Sequence, residues 1–344
     1  MVNSQKLKVM LAGIGGASLG TELLKSLALA SHYEVYGCDV SPTAYGLYES
    51  GFADTFLVNR EDYVASVIEC CQKVGANWLI PGGEQPMVLL GAASGILLEA
   101  GINLIGNLSE IIATFSDKGK TFEFLSNHGF SIPRTIEVRS LIDLNFVGMP
   151  CVIKPATGSG GSAMVFFAVN VEEAMTYSEY IRHSGGTPIA QEYIDVEEGE
   201  FTVGVITLPN GKLAGSIALR RNLDAKLSVL TRDRGGLISS GYSQGYVGSF
   251  LNIRARAEEI ALAIGSKGAI NIQGRVRNGE FIPFEINPRL SASTYLRALA
   301  GFNEVDILLQ YGAYGRLPEP VHIREGWYLR SLTECFVHPE DIKS

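Results

Sequence analysis

With 344 residues, the chain is long for one compact domain and sufficient for two or three, and 46% hydrophobic against 19% charged residues allows a sizeable core. A net charge of −8 argues against a general nucleic-acid binder and leaves anionic ligands to local cations. Five cysteines without a CxxC pair and five scattered histidines offer neither a disulfide framework nor a zinc site. In chain order, the first hundred residues alternate strands ("LKVMLAG", "YEVYGCDV", "TFLV", "WLIPGG", "GINLIG") with helices ("TELLKSLALA", "EDYVASVIECCQKVG"). That alternation predicts a parallel sheet covered on both faces, with ligands beyond its C-terminal strand ends. From about Ser109 two helices follow, the second capped by Ser116 or Asp117 and stopped by Gly129. Then come the strand "PCVIKP", a glycine loop, the strand "AMVFFAV", a helix, and the strand "PIAQEYI". Strands dominate from Glu200 to Arg289, broken by a polar loop over 220–245.

The N-terminus turns polar and glycine-rich too soon for a signal peptide, and no run reaches the ~18 apolar residues of a membrane span. A reduced, soluble, cytoplasmic protein is expected. "GIGGASLG" (Gly13 to Gly20) sits between a strand and a helix, the place of a dinucleotide loop, and Asp39 ends the next strand, where a ribose would sit. Ser18 breaks the G-x-G-x-x-G pattern, so the glycines equally read as a tight turn. "PGGEQP" follows a later strand and makes Glu84 and Gln85 candidates for a substrate site, or plain loop residues.

"VIKPATGSGGSAMVFF" places Gly158, Ser159, Gly160 and Gly161 between two apolar strands. Glycine lets backbone N–H groups close on phosphate oxygens. No Gly-Lys-Ser/Thr follows, but Lys154 ends the preceding strand, where its ammonium could meet a phosphate. "QEYIDVEEGE" then offers Glu192, the main chain of Tyr193 and Ile194, and Glu200 to an adenine and its ribose; alone, it is an acidic turn. In "FIPFEINPRLSAS", Glu285, Asn287 and Arg289 occupy alternate positions and so share one face of a strand. "RNGE" turns the chain back onto a strand holding Gln273. A strict two-residue loop would set Gln273 opposite Phe284, and a three-residue loop with a bulge would set it opposite Glu285; the second is expected. Gln273, Glu285 and Asn287 would then be oxygen ligands for Mg²⁺ on phosphate, with Arg289 on the transferring phosphoryl group. The competing reading is a structural Glu–Arg pair.

The glycine loop after Lys154, the segment "QEYI", and "FEINPR" preceded by "NIQ" together resemble the ATP-grasp enzymes. The nearest likeness is to the carbamoyl-phosphate synthetase large-chain and carboxylate–amine ligase group, in which a glutamine supplies one metal ligand. The resemblance runs from about Lys6 to Arg316 and implies an α/β fold. A Rossmann-like parallel sheet (pre-ATP-grasp domain, 1–108) would precede a two-part α+β ATP-grasp domain, 109–193 with the lid and 194–318 with the metal site. An accessory tail, 319–344, would follow. By the same resemblance Lys118, with Lys120 as competitor, and Lys154 contact phosphates. Gly158, Ser159, Gly160, Gly161 and Ser162 form the lid, Glu192, Tyr193 and Ile194 read adenine, and Glu200 holds ribose. Gln273, Glu285 and Asn287 bind Mg²⁺ (or Mn²⁺), and Arg289 and Lys154 are catalytic.

The implied activity is ligation: ATP activates a carboxylate as an acyl phosphate, which an amine or similar nucleophile attacks. Small-molecule carboxylates and amines would be the partners, with a homodimer and with neither nucleic acid nor membrane. The chain departs from a carbamoyl-phosphate synthetase in having a single such unit. Arg220, Arg221, Arg232 and Arg234 are candidates to hold the substrate carboxylate, or else a solvated loop. Two rival readings are a nucleotide-binding regulatory protein without ligase activity and an NAD-dependent oxidoreductase. The latter has no His–acid pair or Tyr-x-x-x-Lys to support it.

Overall fold

A parallel sheet buried on both faces needs largely apolar central strands, and the N-terminal segment supplies them in β1 (Leu7–Ala12), β2 (Tyr33–Asp39) and β4 (Trp78–Pro81), with the shorter β3 (Asp54–Leu57) and β5 (Asn103–Leu104) at the edges. The computed structural model describes residues 6–15, 19–157, 164–316, 319 and 322–343. The five strands are all parallel in the order β3-β2-β1-β4-β5, so the order reverses between β1 and β4. The helix Leu19–Ala30 covers one face with Leu23, Leu24 and Leu27, and the helix Tyr63–Val74 covers the other with Val67 and Cys71.

A four-stranded sheet follows, ordered β6-β9-β7-β8, from β6 (Thr135–Glu137), β7 (Cys151–Pro155), β8 (Phe166–Ala168) and β9 (Pro188–Glu192). Among the described residues every pairing in it is antiparallel. The helices Leu141–Val147 and Val171–His183 pack on one face, around Leu144, Ile153, Ala174 and Ile181. The third unit is a six-stranded antiparallel sheet. In chain order its strands are β10 (Glu200–Thr207), β11 (Leu213–Arg221), then, beyond a separate hairpin of β12 (Val229–Asp233) and β13 (Gly236–Ser239), β14 (Gly245–Gly248), β15 (Ala269–Arg277), β16 (Glu280–Asn287) and β17 (Gly326–Tyr328). The spatial order is β16-β15-β10-β11-β14-β17. This is the parallel sheet followed by a two-part α+β unit that the sequence predicts.

Two local features differ from expectation. The segment 220–245 is not a plain loop: β12 and β13 pair across Arg234–Gly235, and Leu237 and Ile238 are buried. Its apolar residues seat against Phe167 and Tyr193, whose hydroxyl accepts from the Leu237 N–H at 2.9 Å. The hairpin β15–β16 turns on two residues, Asn278 (φ 55°) and Gly279 (φ 76°), with Arg277 opposite Glu280. Two successive positive φ values are the primed geometry that Asn-Gly favours. The extra residue lies instead at Phe284, where the register shifts so that Gln273 faces Glu285 and Asn271 faces Asn287. The predicted pairing holds, but its device is a bulge beside Pro283, which has no N–H to give a regular ladder.

Candidate active site

β7 is buried on both faces for different reasons. Cys151 and Ile153 enter the core of the four-stranded sheet, while Val152 and Lys154 point the other way, into a cavity of about 410 Å³. β9 sets Gln191 opposite Val152, diagonal to Lys154. The Lys154 ammonium donates to Gln191 Oε1 at 2.8 Å and to the bulged Phe284 carbonyl at 3.1 Å. It also lies 5.7 Å from the centre of the Phe122 ring. Burial, then the Lys118 charge, bring its pKa down to about 7, against the opposing pull of Glu285.

Across the cavity, the inner face of the six-stranded sheet is polar. Asn271, Gln273 and Arg275 alternate along β15, their neighbours Ile270 and Ile272 entering the core beneath. Glu285 and Asn287 on β16 and Thr202 on β10 join them on that face. Asn287 donates from Nδ2 to Glu285 Oε1 at 3.2 Å, and Arg289 donates to the Leu290 carbonyl at 2.9 Å. Arg289 lines the same cavity, its acidity raised by burial and opposed by Glu84 and Glu285. Among the described residues no ion pair joins Glu285 to Arg289, contrary to the purely structural reading of the two.

The cavity thus gathers Lys118, Lys154, Glu192, Tyr193, Ile194, Gln273, Glu285, Asn287 and Arg289, together with Glu84. Lys118 opens the helix Lys118–Asn127, which Asp117 caps by accepting from the Lys120 N–H at 3.1 Å; Lys120 is exposed and does not line the cavity. Gly158, Ser159, Gly160, Gly161 and Ser162 lie outside the described residues. Glu192 is paired to Arg277 at 2.9 Å and Arg134 at 3.4 Å, and the Ile194 carbonyl accepts from Arg275 at 2.6 Å. Glu200 does not line the cavity. It is fully buried one row behind, between Arg275 (2.8 Å) and Arg221 (3.3 Å). Burial raises its pKa, but the two guanidiniums prevail and hold the carboxyl below its usual range.

The four loop arginines do not converge on the cavity either. Arg221 is buried, donating to Gln273 Oε1 at 3.3 Å and to the Ser240 carbonyl at 2.7 Å. Arg220 is exposed, Arg232 pairs with Asp224, and Arg234 pairs with Glu173. Arg275 is the main cation that sequence reasoning missed. It reaches Glu200, Ile194 and Leu237 and lies 4.8 Å from the Tyr193 ring centre. Its alternation with Gln273 along one strand was the available signal.

Mg²⁺ bound to phosphate takes one or two carboxylates and fills its shell with neutral and phosphate oxygens. Glu285, flanked by the amides of Gln273 and Asn287, fits that donor set. Among the described residues no group of three His, Cys, Asp or Glu side chains could hold a metal without such a phosphate.

The sequence signature described as "ATP-grasp domain" matches residues 115–293. The carbamoyl phosphate synthase large chain of Haemophilus ducreyi is 26% identical over 218 residues, covering 61% of this chain and 19% of that one. The chain therefore spans about a fifth of the length of the synthase chains it matches. The biotin carboxylase domain dimer of the Hydrogenobacter thermophilus 2-oxoglutarate carboxylase, in complex with MgADP, ADP and bicarbonate, superposes with a TM-score of 0.69 at 15% identity. That match covers 92% of this chain and 71% of that one. The L-amino acid ligase of Bacillus licheniformis gives a TM-score of 0.66 at 15% identity, covering 90% and 74%. At such identities the two structures establish a shared fold. Among the described residues no helix is long and apolar enough to cross a membrane.

Proposed function

The chain belongs to the ATP-grasp family, and from that premise we propose that it is an ATP-dependent ligase joining a carboxylate to an amine. The observation that carries the reading is the meeting of Lys154 and Lys118 from one side of the cavity with Gln273, Glu285, Asn287 and Arg289 from the other. A polyphosphate laid between them meets cations from two sheets and one carboxylate placed for a divalent ion. The adenine lies at the end walled by Val152, Tyr193, Ile194, Leu237 and Ile238, and the phosphates run toward Lys154 and Arg289. When bound, Mg²⁺ supplies charge neutralisation on the phosphate oxygens.

Lys154, held by Gln191 and Phe284, is positioned before ATP arrives, so little side-chain entropy is lost on binding. A substrate carboxylate oxygen attacks the γ-phosphorus, the bond to the β-phosphate oxygen breaks, and ADP leaves. Arg289 meets the transferring group. An amine then attacks the acyl carbon, phosphate departs with the bonding pair, and the amine loses a proton. Glu84, facing Arg289 across the cavity, is the carboxylate at the acceptor end. No protein nucleophile takes part.

The test is ADP release from MgATP over a panel of amino-acid donors and acceptors, with product mass determined. ADP and phosphate formed only with a matched pair is the expected result. Nucleotide binding without turnover for any carboxylate–amine pair refutes the ligase reading and favours a binding protein.

A further inference from the structure

We propose that the N-terminal sheet carries a second small-molecule site, separate from the nucleotide cavity, that binds a ribonucleoside through its ribose diol. A cavity of about 240 Å³ opens beyond the C-terminal ends of β1, β2 and β4. It lies where the strand order reverses, the place at which open α/β sheets hold ligands. Its walls are Gly13, Asp39, Val40, Tyr63, Pro86 and Leu89, with Arg60 and Gln85 at the rim.

Two groups give it chemistry. Asp39 Oδ2 accepts from the Ile14 N–H at 2.8 Å and Oδ1 from the Ser41 N–H at 3.0 Å. The backbone thereby fixes the carboxylate in place, and each oxygen keeps a lone pair for a ligand. Two acceptor oxygens on one rigid group suit two vicinal hydroxyls. Tyr63 is the second group. Its side chain is 8% exposed, and its buried hydroxyl has no hydrogen-bond partner. Cys38 and Asp39 are the chargeable groups whose fields act on it. A buried hydroxyl left unpaired costs stability, and a ligand hydroxyl drawn against it would remove that cost.

Size and lining narrow the class. The volume falls below the ~300–1,000 Å³ of sites for drug-sized ligands, so it fits one nucleoside and not a whole dinucleotide. Val40, Pro86 and Leu89 offer apolar walls for a flat base, and Arg60, exposed at the rim, offers a cation to a 5′-phosphate. Glycines let the loops after β1 and β4, which line the cavity, approach each other closely. Gly13 has φ +93°, and a Cβ at Gly82 would lie 2.0 Å from the Gly13 carbonyl oxygen.

The test titrates the four ribonucleosides and 2′-deoxyadenosine into the full chain, with the nucleotide cavity saturated by a non-hydrolysable ATP analogue and Mg²⁺. At least one ribonucleoside binds at this second site, and loss of the 2′-hydroxyl weakens adenosine by roughly tenfold, the worth of one hydrogen bond to a charged group. Tyr63→Phe, which removes no bond the fold uses, weakens the ribonucleoside roughly fivefold to tenfold. It leaves the ATP-analogue affinity unchanged and the melting temperature equal or higher. Asp39→Asn repeats the loss of affinity. The proposal is overturned if no ribonucleoside binds below about 1 mM. It is equally overturned if binding vanishes once the analogue is present, or if Tyr63→Phe and the deoxy compound bind as well as their parents. None of these outcomes bears on ligase turnover, which is scored separately.

Discussion

A lysine whose pKa falls from 10.5 to about 7 on folding makes stability a function of pH. Between those values the unfolded chain binds the proton and the folded one releases it, so stability rises as pH climbs from about 7 toward 10.5. Lys154→Met is therefore expected to raise the melting temperature of the nucleotide-free protein, most below pH 7, and to flatten its rise above it. A melting series from pH 6 to 9 on both proteins checks this. ATP reverses the balance, because its phosphates favour the ammonium. Nucleotide binding at pH 8 should take up close to one proton in the wild type and none in the variant, measured by calorimetry in buffers of different ionisation enthalpy. Glu285→Gln is the complementary change. It keeps shape but loses the one carboxylate of the donor set. Magnesium dependence is expected to move to much higher concentration and turnover to fall by several orders of magnitude, equivalent to roughly 4 kcal/mol or more. Since Glu285 has no ion-pair partner among the described residues, the melting temperature should hold or rise. A drop in melting temperature with an unchanged magnesium titration would assign Glu285 to structure alone.

At the scale of elements, the bulge at Phe284 does two jobs. It restores the register that sets Glu285 opposite Gln273, and it frees a carbonyl for Lys154. Deleting Phe284 should remove the bulge and keep Glu285 opposite Gln273 on the polar face, but Lys154 would lose one of its two acceptors. The expected outcome is a folded protein whose KM for ATP rises several-fold with little change in magnesium response; an unchanged KM shows that Gln191 alone suffices. The alternation of Glu285, Asn287 and Arg289 was legible because a strand's period of two is local. The bulge was half legible, since Pro283 announces a missing donor, yet nothing local says whether the turn or the strand absorbs the extra residue. Arg275 and Arg221 were not singled out as the holders of Glu200. Each is an ordinary strand residue until three strands align them, and such pairing is tertiary. The strand β13 hid in a serine- and glycine-rich stretch because its burial comes from Phe167 and Tyr193, some 40 to 70 positions upstream.

On the scale of the whole molecule, the last segment closes the structure. β17 extends the six-stranded sheet, and beyond it Arg330 pairs with Glu22 of the first helix at 3.0 Å and donates to the Ala292 carbonyl at the cavity wall. Both side chains are nearly buried. Arg330→Ala is expected to cost on the order of 2–4 kcal/mol, toward the lower end because Lys25 remains beside Glu22. Truncation before Gly326 should cost more, because it also uncovers the β14 edge. Denaturant unfolding of the two variants separates the pair from the strand.

Gly82 and Gly83 line both cavities, so one dipeptide is the partition between them. Any side chain at 82 collides with the Gly13 carbonyl, and whatever displaces that loop alters both chambers together. The two binding surfaces therefore cannot drift independently at this point. A lineage that refines one is constrained by the other, and a saturation library selected for either property should return the same narrow spectrum, glycine alone, at codon 82.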